Sequence, residues 1–295
     1  MRLRPRGLLI GLALACAFAL SGCIKYDMTI LVKPDGSGEI HEVTELNLAF
    51  AEQLMSGMMG AVTGGAGEKP KLENQGKPWA DQARERAGEF GPGVRLLNAT
   101  EEKREGWLVQ KAIYAVQDVT KLQPPAERPA SGAPSAEAAV AGGHIPVQVA
   151  ARFALNRGAD GTSELVLTMP PPEEAEPAEA PGGAAEPAPA MDAASAEIAK
   201  QFVQQMFKGF EMRMAVQCVG EVVETNATYY ENGRVTLLHV SFDDLLKLLD
   251  DPAKMAALNA LGPKPATAEE ARELLKQVPG VQMELQPEVR VRFRP

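Results

Sequence analysis

Nucleophiles, metal ligands and aromatic surface are all scarce in this sequence. Three cysteines and three histidines serve 295 residues. Two of the cysteines, Cys16 and Cys23, fall at the amino terminus, so Cys218 has no partner for a disulfide framework. The histidines His41, His144 and His239 stand far apart, and none has the His-Glu-x-x-His spacing of a helix-borne zinc site. Gly-x-Ser-x-Gly, Ser-x-x-Lys, P-loop and dinucleotide fingerprints are missing, which removes the usual signatures of hydrolases, nucleotide enzymes and oxidoreductases. Basic charge is also short, at 30 Lys+Arg against 39 Asp+Glu, a net charge of -9. An acidic chain with a pI near 5.1 does not offer the basic face that nucleic acid requires. Long apolar runs are absent too. The longest, Gly7 to Leu20, would rise about 21 Å as a helix, well short of a hydrocarbon core about 30 Å thick.

That run is informative for what surrounds it. Arg2, Arg4 and Arg6 precede it, and Leu20-Ser21-Gly22-Cys23 closes it, which reads as a secretory signal rather than a spanning helix. The closing tetrad resembles the lipobox of bacterial lipoproteins. The resemblance implies that residues 1–22 are removed and that Cys23 becomes the mature first residue, carrying a diacylglyceryl group and palmitate-type acyl chains. An ordinary cleaved signal that happens to contain a cysteine is the alternative. Each buried methylene contributes about 0.8 kcal/mol, so several chains together anchor a protein durably. Loss of the leader's arginines makes the body more acidic, so the lipid and not surface charge would hold it to an anionic bilayer. Ile24, rather than Asp, follows the cysteine. In a Gram-negative cell that resembles the pattern sorted to the outer membrane, on its periplasmic side.

From Ile24 onward the chain reads as hairpins. Ile24, Tyr26, Met28, Ile30 and Val32 alternate with polar neighbours, and Pro34-Asp35-Gly36-Ser37-Gly38 supplies a turn before Ile40 to Leu46. That turn offers a single carboxylate and lacks the alternating ligands of a calcium loop. Val94 to Ala99 with Trp107 to Val119 forms a second hairpin, and Val147 to Leu155 with Leu165 to Met169 a third. Thr225 to Phe242 forms a fourth about Asn232-Gly233. Phe210, Met212, Met214, Val216 and Cys218 share one face of a half-buried strand, which makes the thiol a packing group. Helical periodicity appears over Leu48 to Val62, Trp79 to Phe90, Ile198 to Phe207 and Leu245 to Leu249, with capping-box spacing at Thr267 and Glu270. Met55, Met58 and Met59 in the first of these read as core or a pliable contact surface rather than a copper site. Val281 to Phe293 alternates but is broken by Pro287, which predicts an edge strand or a bend there.

Two tracts cannot bury enough surface to offset their ordering entropy: 123–143, and 170–192, whose first part holds seven prolines and five glutamates. The hairpin between them is marginal alone, so it must join a sheet built by the flanking parts. The reading is therefore α+β: one domain over 23–295, an antiparallel sheet of hairpins with packed helices, and two disordered Pro/Ala-rich insertions. Because the first strand starts one residue after Cys23, the body is expected to lie against the membrane rather than swing from a linker.

The lipobox, the immediate strand, the Asp-Gly-Ser-Gly turn and the later Gly220-Glu221-Val222-Val223-Glu224-Thr225-Asn226-Ala227 segment together resemble LppM-type lipoproteins. That resemblance implies an α+β envelope domain able to engage lipid headgroups, with no assigned catalysis. The function expected is a membrane-anchored envelope lipoprotein acting by protein or lipid contacts. The alternative is a carrier or sensor of an apolar ligand, using a concave sheet and its methionines. No catalytic residue, cofactor or metal site is expected, and nucleic acid is not an expected partner. One further candidate is the stripe Arg290, Arg292 and Arg294, whose side chains, about 7 Å apart on one strand face, could contact successive anionic groups. The plain alternative is a solvated face neutralising Glu284 and Glu288.

Overall fold

Alternation along the first hairpin sorts its side chains into a wet face and a dry one. In β1 (Ile24–Val32) the residues Tyr26, Met28, Ile30 and Val32 are buried; in β2 (Gly38–Asn47) Ile40, Glu42, Thr44 and Leu46 are. The turn between them is fixed by Asp35, whose Oδ1 accepts the Ser37 backbone N–H at 2.9 Å and its hydroxyl at 2.7 Å. The computed structural model describes residues 24–51, 77–123, 151–169, 207–249, 276 and 278–295. β3 (Val94–Arg104) and β4 (Trp107–Val116) form the second hairpin, and β4 pairs with β2. On the other side of β1 lies β7 (Glu211–Cys218), in parallel register from Lys25 opposite Glu211 to Val32 opposite Cys218. β10 (Arg234–Ser241) follows antiparallel to β7, with the short β9 (Tyr230–Glu231) and β11 (Val281–Met283) paired to it. The order β11-β10-β7-β1-β2-β4-β3 makes β1 the central strand.

A second, antiparallel sheet has the order β5-β6-β12-β8, from β5 (Arg152–Arg157), β6 (Ser163–Thr168), β12 (Glu288–Arg294) and β8 (Glu221–Thr225). It meets the first sheet at the β1–β2 turn, where Arg157 Nη2 donates to the Asp35 carbonyl at 2.6 Å and Ser163 Oγ to the Pro34 carbonyl at 3.1 Å. The two sheets share one core, in which Phe153, Leu165, Leu167, Val289, Val291 and Phe293 join Tyr26, Met28, Ile30 and Val32. Burying Val289, Val291 and Phe293, each 0% exposed, contributes on the order of 5–9 kcal/mol before ordering entropy is subtracted. α1 (Trp79–Ala87) covers the inner face of the first sheet, with Trp79, Ala83 and Ala87 buried and Trp79 Nε1 donating to the Lys111 carbonyl at 3.0 Å. α2 (Phe242–Leu249) follows β10.

The described chain is predominantly β, which corrects the α+β expectation of one antiparallel sheet with packed helices. There are two sheets, and the pair at the centre of the larger one is parallel. The physical reason is that alternation reports which face a residue takes, but not which strand lies alongside or in which direction. Gly220 shows the same gap: at φ +125 it turns the chain from β7 in one sheet to β8 in the other, so these consecutive strands do not pair. Pro287 marks a second transfer, from β11 to β12, and β12 is an interior strand flanked by β6 and β8 rather than an edge. Most of the helices expected over Leu48 to Val62 and Ile198 to Phe207, the capping box at Thr267, and residues 124–143 and 170–192 lie outside the described residues. No helix among the described residues is long and apolar enough to cross a membrane.

Candidate functional site: the two faces of the central sheet

The outer face of the larger sheet is a lattice of paired charges. Arg234 on β10 reaches across β7 to β1, where its Nη2 lies 3.3 Å from both Asp27 carboxylate oxygens and donates to Thr29 Oγ1 at 3.0 Å. Its Nε is buried and donates to nothing among the described residues. Glu211 accepts from Arg213 Nη2 at 3.3 Å and lies 3.3 Å from His239 Nε2. On β2, Glu39 meets His41 Nε2 at 2.9 Å and Lys33 Nζ at 3.4 Å. The His41 hydrogen bond, ahead of the Lys33 contacts, holds the Glu39 carboxyl below its ordinary value. Over β7 and β10 an open groove of about 530 Å³ is lined by Arg213, Gln217, Arg234, Thr236, His239 and Gln282, among others. A smaller groove of about 240 Å³ opens beside Lys25, Asp27, Glu45 and Glu211. Donors and acceptors interleave here, so the face suits a polar surface able to exchange hydrogen bonds with both.

The inner face holds a buried polar cluster that the sequence reading passed over. Glu42, whose side chain is 0% exposed, faces α1 from β2, and Arg86 Nη2 lies 3.0 Å from its Oε1 as an ion pair without a hydrogen bond at that oxygen. Tyr114 OH donates to Glu42 Oε2 at 3.2 Å, and Arg86 Nη2 donates to Tyr26 OH at 3.3 Å. The Arg86 guanidinium also lies 5.7 Å from the Phe90 ring, which meets Tyr114 edge-on at 5.1 Å. Burial, then the charge of Glu42, pushes the hydroxyls of Tyr26 and Tyr114 well above the usual phenol range, so both are proton donors at any physiological pH. This arrangement fastens α1 to the sheet. The signal was present in the sequence: Glu42 stands in phase with Ile40 and Leu46, where a strand of this pattern turns inward.

No family model matches the chain, and no curated protein matches it. Among solved structures, the NMR structure of the folded domain of the LppM protein of Mycobacterium tuberculosis is similar to it. The likeness is weak: 10% identity and a TM-score of 0.25 over 73% of this chain and 81% of that one.

Cys23, the expected lipidation site, lies outside the described residues, one position before β1. The three arginines of the stripe do share one face of β12, and each already has a carboxylate. Arg290 Nη2 lies 2.6 Å from Glu288, Arg292 Nη2 2.5 Å from Asp160, and Arg294 Nη2 2.6 Å from Glu221. An anionic group arriving there would compete with these acids. Glu284 is not among their partners. It is buried and accepts from the Thr228 N–H at 2.6 Å, the Thr228 hydroxyl at 2.9 Å and the Gln286 N–H at 2.9 Å. Asn226 clamps β12 from the side, accepting from the Arg290 N–H at 2.6 Å and donating to the Glu288 carbonyl at 3.0 Å. Cys218 is buried, and burial pushes its thiol up to about 12, the character of a packing group rather than a nucleophile. Met28 and Met214 are buried in the core rather than lining an open surface. Met55, Met58, Met59 and His144 lie outside the described residues.

Proposed function

We propose that this chain is a lipid-anchored protein of the bacterial cell envelope that works through contacts with envelope protein or lipid and performs no catalysis. The observation that carries this reading is positional. The lipobox cysteine stands one residue ahead of the central strand of the main sheet, so an acyl anchor there would be attached to a strand paired on both sides. The outer face is compatible with the same reading, since it offers an open polar groove over β7 and β10 in which Arg234–Asp27 and His239–Glu211 pair across strands. With Ile24 after the cysteine, the outer membrane of a Gram-negative cell is the destination this reading assigns.

Mass analysis of the native protein tests it directly. The expected product begins at Cys23 and carries the mass of a diacylglyceryl group and an acyl chain. Cys23→Ala should yield unprocessed or soluble protein, and fractionation should place the wild type with the outer membrane. An unmodified terminus on the native product defeats the proposal.

A further inference from the structure

Four aromatic side chains crowd the end of the main sheet at which β1 begins. Phe207 stacks on Phe242 at 4.6 Å, and Phe210 meets Phe242 edge-on at 5.3 Å. The Phe242 N–H donates to the Phe210 carbonyl at 3.0 Å, and Phe210 directly precedes Glu211, the residue opposite Lys25. Toward the outer face, Trp107 opens β4 opposite Asn47, and the Lys25 ammonium lies 5.6 Å from its ring. All four aromatics are half-buried, so each keeps part of its ring at the surface.

The other end of the sheet has the opposite character. Asp35, Asp118 and Asp160 each cap a turn of the form Asp-x-Ser/Thr, bonding Ser37, Thr120 and Thr162. These turns gather where the Val119 N–H meets the Gly36 carbonyl and Ser163 meets Pro34. Hydrogen bonding holds all three carboxyls below their ordinary range, and each has a cation nearby: Lys33 and Arg157 for Asp35, Lys121 for Asp118 and Arg292 for Asp160. At about 3.3 Å per residue, β1 separates the two ends by roughly 26 Å.

We infer that the aromatic end, with Trp107, Phe207, Phe210 and Phe242, rests on the bilayer surface while the polar turns at the other end point away from it. The inference rests on the proposed acylation of Cys23. A residue spans at most about 3.8 Å from Cα to Cα, so an anchor at Cys23 leaves Ile24 no slack to stand off from the headgroups. Whatever shares that end of the sheet is drawn to the interface with it. Aromatic rings suit that layer, where an apolar body and a wet edge are both satisfied; Lys25, beside Trp107, is paired with Glu45 at 3.9 Å, so the rings and not net charge carry the contact.

The two tryptophans make the orientation readable. Trp79, on the buried side of α1, is 6% exposed, whereas Trp107 is at the rim. Full-length, natively acylated protein is reconstituted into phosphatidylcholine vesicles with or without brominated acyl chains, using Trp79→Phe to isolate Trp107 and Trp107→Phe to isolate Trp79. Bromine should quench Trp107 and leave Trp79 unchanged. If the protein floats with the vesicles but Trp107 is not quenched, or both tryptophans are quenched alike, the orientation is wrong although the anchor stands. If the protein does not float with the vesicles, the anchor fails and the orientation with it. Should either substitution unfold the body, hydrogen exchange of the unsubstituted protein reads the same surface. Slowed exchange at Trp107, Phe210 and Phe242 on vesicles supports the inference, and unchanged exchange there overturns it.

Discussion

Replacing Arg86 with alanine isolates the charge that holds α1 to the sheet. Glu42 would remain with its side chain 0% exposed and without the guanidinium that faces it at 3.0 Å. Breaking a buried pair from one side typically costs about 3–5 kcal/mol, because an uncompensated charge is left in a poorly solvated place. With a urea dependence of about 2–3 kcal/mol per molar, the midpoint should fall by roughly 1–2 M. The control is Arg84→Ala on the same helix, whose side chain is 68% exposed and paired with Asp81; exposed pairs contribute about 0–1 kcal/mol. Removing both charges at similar volume, with Glu42→Gln and Arg86→Met made singly and together, should recover a large part of the loss and give a coupling energy of about 2–3 kcal/mol in that cycle. Equilibrium urea unfolding, followed by far-ultraviolet circular dichroism, reads every form. Should Arg86→Ala move the midpoint no further than Arg84→Ala does, the buried cluster is not what fastens α1.

The crossing between sheets and the charge of one turn give two more tests. An alanine Cβ at Gly220 would lie 2.1 Å from the Arg294 carbonyl oxygen, at φ +125. Gly220→Ala should therefore cost at least about 2 kcal/mol, while Gly106→Ala, also at positive φ but with nothing within 4 Å of the added carbon, should cost only about 1 kcal/mol; thermal melts of the two variants compare them. The Thr162 hydroxyl, its backbone N–H and then Arg292 lower the Asp160 carboxyl to about 2. A depressed carboxyl stabilises the fold above its unfolded value and ceases to do so as pH falls through the folded one. Asp160→Asn should therefore be less stable than wild type at pH 7, and the gap should close as pH drops from about 4 toward about 2; a gap that stays constant over that range would contradict the assignment.

Local signals were legible in the sequence and long-range ones were not. The hairpins about Asp35-Gly36 and Glu105-Gly106 and the turn at Asn232-Gly233 follow from turn chemistry, and Glu105 and Asn232 do adopt φ +51; the limb expected from Thr225 instead lies in β8 beside β12, leaving Tyr230 and Glu231 to pair with β10. The inward set of β1 follows from its period of two. The pairing of β1 with β7 leaves no such trace, because either neighbour of a strand satisfies the same alternation. The arginine stripe was visible as a pattern, yet Asp160 and Glu221, which meet Arg292 and Arg294, come from distant parts of the chain that only the second sheet brings together. Of the buried cluster, Glu42 could have been noticed as an acid in an apolar phase. Arg86 could not, because it sits on a short helix rich in charge, where one buried cation among several looks like its exposed neighbours.

The parallel partnership at the middle of the main sheet also governs when this protein can finish folding. Asp27 and Arg234, which meet across it, are 207 positions apart. Closing so long a loop is slow and entropically unfavourable. Until β7 is made and docked, one flank of β1 stays open to any strand that passes. An unfinished chain therefore passes through its most adhesive interval with β1 and β2 already able to pair and β7 still to come.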